Sequence, residues 1–258
     1  MGAVEVSAWS MPTNLLASAS MYELDAVRVS FGGVEALART NLTIARGETL
    51  VLLGPSGSGK STLLRCLIGL SPYRGTLRFD GEPVRDWRVV RQRLGYVIQE
   101  GGLFPHLSAR GNVVLAAREF GWDAARIEGR VEELAELVDL DAQQLARFPG
   151  ELSGGQRQRV AMMRALMLAP DVLLLDEPLS ALDPVTRLRL AGELRDIFVR
   201  LNMTVVMVTH SLREARFFGG RAVLMRDGGI VQQGKIAELE ERPADDFVAE
   251  FLAAEAAL

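Results

Sequence analysis

Gly54-Pro55-Ser56-Gly57-Ser58-Gly59-Lys60-Ser61 lies between the apolar run Thr49-Leu50-Val51-Leu52-Leu53 and the helical pattern Thr62-Leu63-Leu64-Arg65-Cys66-Leu67-Ile68. A strand, a loop of the form G-x-x-x-x-G-K-[ST] and a helix, in that order, make a phosphate-binding loop. The glycines let the backbone turn tightly enough for successive N–H groups to converge on one phosphate. The helix that follows adds its positive N-terminal end, and Thr62 belongs to that first turn. Lys60 supplies a compact charge for the β- and γ-phosphates of a nucleotide, and Ser61 a hydroxyl for Mg²⁺. Lys60 and Lys235 are the two lysines among 29 basic residues, so lysine stands at a position that needs a slim point charge. An ordinary Gly/Ser turn before a helix is the plainer alternative, and the correct strand and helix on either side argue against it.

Working outward, 258 residues are enough for one large domain or a domain with a subdomain. The composition, 48% hydrophobic and 24% charged, is that of a globular protein. A net charge of −4 gives no support to a broad nucleic-acid footprint, and no nucleic-acid partner is expected. The single cysteine, Cys66, excludes an internal disulfide and reads as a small buried hydrophobe. No apolar run reaches the length of a membrane span. Residues 1–20 contain no Lys or Arg, lack the start of a secretory signal and read as a loose N-terminal extension, so a cytoplasmic protein is expected.

Short apolar runs at 49–53, 95–98, 172–175, 204–208 and 222–225 predict strands buried on both faces, as in a parallel sheet. Helical patterns at 60–70, 156–168 and 185–201 separate several of them. Residues 21–31 and 39–46 alternate and predict an antiparallel edge sheet. No strand is expected between 107 and 168, where 126–140 reads as an amphipathic helix. The reading is an α/β fold: a P-loop NTPase core with a mostly parallel sheet, an N-terminal antiparallel β subdomain and an α-helical insertion at about 105–168. The main domain is expected over 21–245, with 246–258 as a short C-terminal tail.

Val172-Leu173-Leu174-Leu175-Asp176-Glu177 is a strand ending in two carboxylates. Neighbouring strand residues face opposite ways, so the acids take different roles. Asp176 is placed to hold Mg²⁺ through water, and Glu177 to polarise the water that attacks the γ-phosphate. Leu152-Ser153-Gly154-Gly155-Gln156 precedes a long helical pattern with Ser153 as a good N-cap. Two glycines just inside a helix weaken it, and they make sense where the backbone must approach an anion.

The three motifs together, in this order and spacing, resemble the ATP-binding subunits of ABC transporters over roughly residues 21–245. The resemblance implies further roles. Gln99 matches the Q-loop glutamine that contacts Mg²⁺ and the attacking water. His210 matches the switch histidine on the γ-phosphate, and Ser180-Ala181-Leu182-Asp183 matches the D-loop at a dimer interface. Asp183 before Pro184 is also a helix N-cap. Phe31 stands where the family stacks an aromatic on adenine, against the rival reading of a core phenylalanine, with Tyr22 as a second candidate. Ser211 departs from the acid that usually follows the switch histidine.

The resemblance also implies partners. Each ATP is sandwiched between the phosphate loop of one copy and the signature of another, so a second copy of the chain is expected. Separate transmembrane permease subunits follow, placing the chain peripherally on the cytoplasmic face of the cell membrane, with a solute-binding protein as an indirect partner. The segment Glu100–Ser108 resembles importers of small polar solutes, and residues 203–234 resemble the osmoprotectant (glycine betaine, choline or proline) and polar amino-acid branch. Leu103, Phe104 and Leu107 are the expected permease contacts. The alternatives are an exporter or lipid-transport ATPase and a soluble ABC-type ATPase. A P-loop kinase would leave Leu152–Gln156 unexplained.

Overall fold

The structure, a computed structural model, describes residues 19–99 and 101–257. Most of the N-terminal extension, residues 1–18, lies outside the described residues, as does Glu100. The described chain opens with two long antiparallel strands, β1 (Ser20–Phe31) and β2 (Val34–Ala45). β3 (Thr49–Leu53) leads into α1 (Lys60–Leu67). Next come β4 (Arg74–Phe79), β5 (Glu82–Pro83), the short α2 (Trp87–Arg91) and β6 (Leu94–Val97). A helical stretch follows: α3 (Ala109–Glu119), α4 (Ala124–Leu137), α5 (Ala142–Ala146) and α6 (Gly154–Leu166). The chain returns to the sheet with β7 (Val172–Asp176), α7 (Pro184–Arg200), β8 (Thr204–Val208), α8 (Leu212–Phe218), β9 (Arg221–Arg226) and β10 (Gly229–Gly234). It closes with α9 (Ile236–Glu241) and α10 (Asp246–Ala256).

Two sheets result. The larger has the order β10-β9-β3-β8-β7-β6, parallel from β9 to β6 with β10 antiparallel at one edge. The smaller is antiparallel, in the order β2-β1-β4-β5. The pleat sorts the parallel strands' side chains between three apolar clusters. Leu50 and Leu52 of β3, Leu174 of β7 and Val206 of β8 face α1 and the antiparallel sheet. Leu173, Leu175, Val205 and Met207 face α6, α7 and the helical stretch. Val51 and Leu53 pack against α8, α9 and α10. Strands apolar on both faces are thus covered on both faces, as their composition requires. Cys66 is fully buried, and burial pushes its thiol up to about 12.

One expectation needs correction, and two elements add to the sequence reading. Helix α1 stops at Leu67 rather than residue 70, where Gly69 turns left-handed (φ +68°) and a Cβ would run into the Trp87 ring. Arg74–Phe79, outside the predicted runs, is a strand whose alternate residues Leu77 and Phe79 are buried. Residues 246–256, expected as a short tail, form a helix that packs on α8 and α9 and buries Val248 and Leu252 in the third apolar cluster.

The two sheets are joined on one side by charge. Asp80, after β4, pairs with Arg46 and with Arg93 (2.8 Å), and Arg93 pairs with Asp171 (2.5 Å) just before β7. Arg93 also lies over the Phe79 ring. Burial alone would raise the Asp80 carboxyl; hydrogen bonds and charge from Arg93 and Arg46 outweigh it and hold the group below its ordinary value.

Candidate functional site

The phosphate loop connects β3 to α1 at the carboxyl end of the sheet, where open α/β folds bind ligands. Gly54, Gly57 and Gly59 all adopt positive φ. A Cβ on Gly54 would sit 2.2 Å from the Met225 carbonyl oxygen, so the loop lies directly on β9. Helix α1 begins without a side-chain cap, leaving its first N–H groups to an anion. Residues 56–62 line a cleft of about 290 Å³ together with Ala36 and Glu177. Lys60 is buried, and its ammonium donates to the carbonyls of Gly54 (2.7 Å) and Pro55 (2.8 Å). Burial lowers its pKa, while the carboxylates of Glu177 and Asp176 act in the opposite sense. A bound phosphate would add a further charge favouring the ammonium form.

The two carboxylates diverge as their positions require. Asp176, only 6% exposed, ends β7 and accepts a hydrogen bond from the Ser61 hydroxyl at 3.1 Å. Burial raises its pKa, with the Ser61 bond working against that. Glu177 leaves the strand in the left-handed region (φ +47°), an uncommon conformation for a non-glycine residue, and its N–H donates to the Val208 carbonyl at 3.0 Å. That turn sends its carboxylate to a different place. Glu177 Oε2 accepts from Gln99 Nε2 at 3.3 Å and lies 3.5 Å from His210 Nδ1. Three sequence-predicted residues from three segments, Ser61, Gln99 and His210, therefore meet around the carboxylate pair Asp176-Glu177. The oxygen donors Ser61 and Asp176 fit Mg²⁺, a hard cation that keeps several waters and completes its shell with phosphate oxygens.

The remaining motifs lie elsewhere. Ser153 caps α6 in a reciprocal capping box: its hydroxyl accepts from Gln156 N–H (3.3 Å) and Gln156 Oε1 accepts from Ser153 N–H (2.9 Å). None of Ser153, Gly154, Gly155 and Gln156 lines the cleft at the phosphate loop. Gly155 has a second reason to be glycine, because a Cβ would approach Thr186 Cγ2 to 2.9 Å. Asp183 caps α7, accepting from Val185 N–H (3.1 Å) and Thr186 N–H (3.0 Å). Hydrogen bonds from the side chain and backbone of Thr186 hold its carboxyl below the ordinary value.

Phe31 is 50% exposed at the end of β1, so the rival reading of a core residue does not hold. Tyr22 is corrected as a stacking candidate: it is fully buried, its hydroxyl donates to the Leu67 carbonyl (2.7 Å), and its ring meets Phe79 edge-on. Ser211, the departure after His210, caps α8 by accepting from Glu214 N–H at 3.3 Å. Thr209 in turn donates to Glu214 at 2.6 Å, so an acid one turn further along takes part in this local network.

A phosphate cradle, a divergent Asp-Glu pair and a separate capped Gly-Gly helix start are thus all built in one chain. The family model described as ABC transporter matches residues 37–180. The chain belongs to the ABC transporter family. Among relatives, this ABC chain is 44% identical over 234 residues to the glycine betaine uptake system ATP-binding protein YehX of Escherichia coli, covering 90% of this chain and 76% of that one. It is 41% identical to the choline transport ATP-binding protein OpuBA of Bacillus subtilis, over 87% of this chain and 60% of the other. It therefore spans about three quarters of the one relative and three fifths of the other. Among solved structures, the bacterial ABC transporter cassette MJ0796, described as dimeric, is 32% identical with a TM-score of 0.76, covering 84% of this chain and 99% of that one. A second structure of that cassette is a post-hydrolysis dimer bound to ADP and Pi.

Several residues of the ABC site carry no signal in sequence spacing. Ala36 comes from β2 to line the cleft, and Gly228, at the β9–β10 turn, donates its N–H to the Ser58 carbonyl at 3.1 Å. Arg164 and Asn112 fasten the loop that carries Gln99. All four act on or through the main chain, which no residue pattern advertises.

Proposed function

We propose that this chain is the ATP-hydrolysing subunit of an ABC importer for a small polar solute, such as an osmoprotectant or amino acid, and that it works with Mg²⁺ as a homodimer. The observation that carries the chemistry is the convergence of Gln99 and His210 on Glu177 beside the phosphate loop. Lys60 and the loop N–H groups hold the β- and γ-phosphates. Ser61 and Asp176 would hold Mg²⁺, which when bound would supply positive charge for the phosphate oxygens. Glu177 takes the proton of the attacking water, with Gln99 steering its carboxylate. His210, 60% exposed and 3.5 Å from Glu177 through Nδ1, is the group this reading assigns to the γ-phosphate.

Homodimerisation is supported by the separation of the signature turn from the phosphate cleft within one chain and by the dimeric form of the MJ0796 cassette. The import reading draws on the glycine betaine and choline relatives. No helix among the described residues is long and apolar enough to cross a membrane. The transporter reading calls for transmembrane permease subunits as partners. Phe104, 43% exposed beside His106, supports the 103–107 segment as their docking site. A solute-binding protein is the further expected partner, and the assembly would sit at the cytoplasmic face of the membrane.

The test is purification of the native complex followed by ATPase and uptake assays in vesicles. Mg²⁺-dependent hydrolysis that drives uptake of glycine betaine, choline or an amino acid is expected. In Lys60→Ala, loss of a charge-assisted contact of about 1.5–3 kcal/mol should weaken ATP binding by roughly 10- to 150-fold. Near-normal turnover in that variant would remove the phosphate-loop assignment.

A further inference from the structure

The loop carrying Gln99 joins two parts of the molecule. Up to Val97 it is strand β6, paired residue for residue with β7. From Ala109 it is helix α3, which packs on α6. Between them lies a tight turn in which Gly101 N–H donates to the Ile98 carbonyl at 2.9 Å, with Gln99 at its second position. Gly101 and Gly102 both adopt left-handed φ, +74° and +53°. A Cβ on Gly102 would overlap Ile98 Cδ1 at 2.0 Å, and one on Gly101 would press on Ala161 of α6 at 3.3 Å.

The two carbonyls of this glycine pair go to a single side chain. Arg164 of α6 donates through Nη2 to the Gly101 carbonyl (2.7 Å) and through Nη1 to the Gly102 carbonyl (2.8 Å). Among the described residues it has no carboxylate partner. Its guanidinium is partly buried without a counter-charge, and that burial lowers its pKa. An arginine held this way is costly unless its planar fork matches two fixed acceptors, as it does here. In the first turn of α3, the fully buried Asn112 repeats the device for the rest of the loop. Its amide donates to the carbonyls of Phe104, Leu107 and Ser108, and its oxygen accepts from Phe104 N–H at 2.7 Å. The segment 101–108 is therefore bonded to the helical layer, and the change of allegiance falls at Ile98–Gln99.

We propose that Arg164 is a positioning residue for ATP hydrolysis, a clamp that makes Gly101–Gly102 ride on α6. Gln99 then shifts as one body with the helix whose opposite end is Ser153. The signature turn and the glutamine that steers Glu177 cannot be set independently: a displacement of α6 toward or away from a second copy changes the Gln99–Glu177 contact. This inference rests on the ATPase reading above.

The test compares Arg164→Met, which keeps the apolar reach and removes the donors, with Arg164→Lys, which keeps the charge and can serve only one carbonyl well. In Arg164→Met, kcat should fall by about 10- to 100-fold through misplacement of Gln99, with KM for ATP within roughly threefold of wild type. Exchange of the Gly101 amide should accelerate by about tenfold or more through local opening, while α6 amides keep their protection. Arg164→Lys should lie between Arg164→Met and wild type in both readouts. Wild-type kcat in Arg164→Met, a loss confined to KM, or exchange rising equally along α6 would overturn the proposal. If Arg164→Met does not fold, Arg164→Lys decides: wild-type kcat and loop exchange, or failure to fold, would reduce Arg164 to an ordinary structural role. A wild-type chain that hydrolyses no ATP would instead sink the ATPase reading, and amide exchange would still report on the clamp.

Discussion

Two glycine-rich turns start helices in this molecule, and they are built on opposite plans. In the phosphate loop all three glycines have positive φ and two are jammed against backbone: Gly54 against Met225 O, Gly59 against Ala36 O. Its helix is left uncapped. In the signature turn Gly154 and Gly155 are absent from the positive-φ glycines, and the atoms nearest an added Cβ are the side chains of Leu182 and Thr186. That helix is capped twice over by Ser153 and Gln156. The first turn is an anion cradle completed within the chain. The second is a finished helix start, with Ser153 exposed and Gly154, Gly155 and Gln156 half-buried, so its use depends on what another molecule brings to it.

The largest expected effect separates the two turns by stopping the chemistry between them. Glu177→Gln should lower kcat by about 10²- to 10⁴-fold through loss of an aligned base, while ATP still binds. With hydrolysis blocked, ATP should drive the variant into a dimer seen by sedimentation. A variant that keeps wild-type turnover would contradict the role of Glu177.

Next come paired glycine changes. Gly54→Ala forces a Cβ into a backbone oxygen at a strained φ and should cost about 2–4 kcal/mol of stability or abolish ATP binding outright. Gly154→Asp places an acid in the first turn of a helix, where it is tolerated, so thermal stability should stay within about 0.5 kcal/mol of wild type. Combined with Glu177→Gln, however, it should abolish the ATP-dependent dimer by setting a carboxylate against phosphate. Dimerisation that survives Gly154→Asp would place the signature turn outside the nucleotide sandwich.

The smallest effect lies away from both turns. Asp80→Asn breaks a charge-assisted link between the sheets and should cost about 1–3 kcal/mol at neutral pH. Asp80 is held below its unfolded pKa, so its contribution is fully present above the unfolded carboxylate value and is lost as pH falls through the folded one. Denaturant midpoints of wild type and variant should therefore converge in acid. A gap independent of pH would assign the effect to packing.

Much of this protein was legible in its residues. The phosphate loop, the Asp176-Glu177 strand end and the Ser153 cap are local patterns, set within a few residues by backbone geometry and charge. The doubly apolar runs declared a covered parallel sheet because strand side chains alternate, and the structure shows the alternate residues of β3, β7 and β8 entering different clusters. What escaped was non-local or main-chain in character. β4 carries a faint signal although Leu77 and Phe79 alternate with polar neighbours, because its six residues open on Arg74-Gly75. Tyr22 and Phe31 share one strand, and only packing decided that Tyr22 is sealed in the core and Phe31 exposed. The sequence by itself determined which groups can bind phosphate and move a proton, since those properties belong to residue types at fixed spacing. Tertiary structure alone brought Gln99, Glu177 and His210 together and fastened the Gln99 loop to α6. Those contacts join residues many positions apart, and Arg164 makes its own through carbonyls that every residue carries.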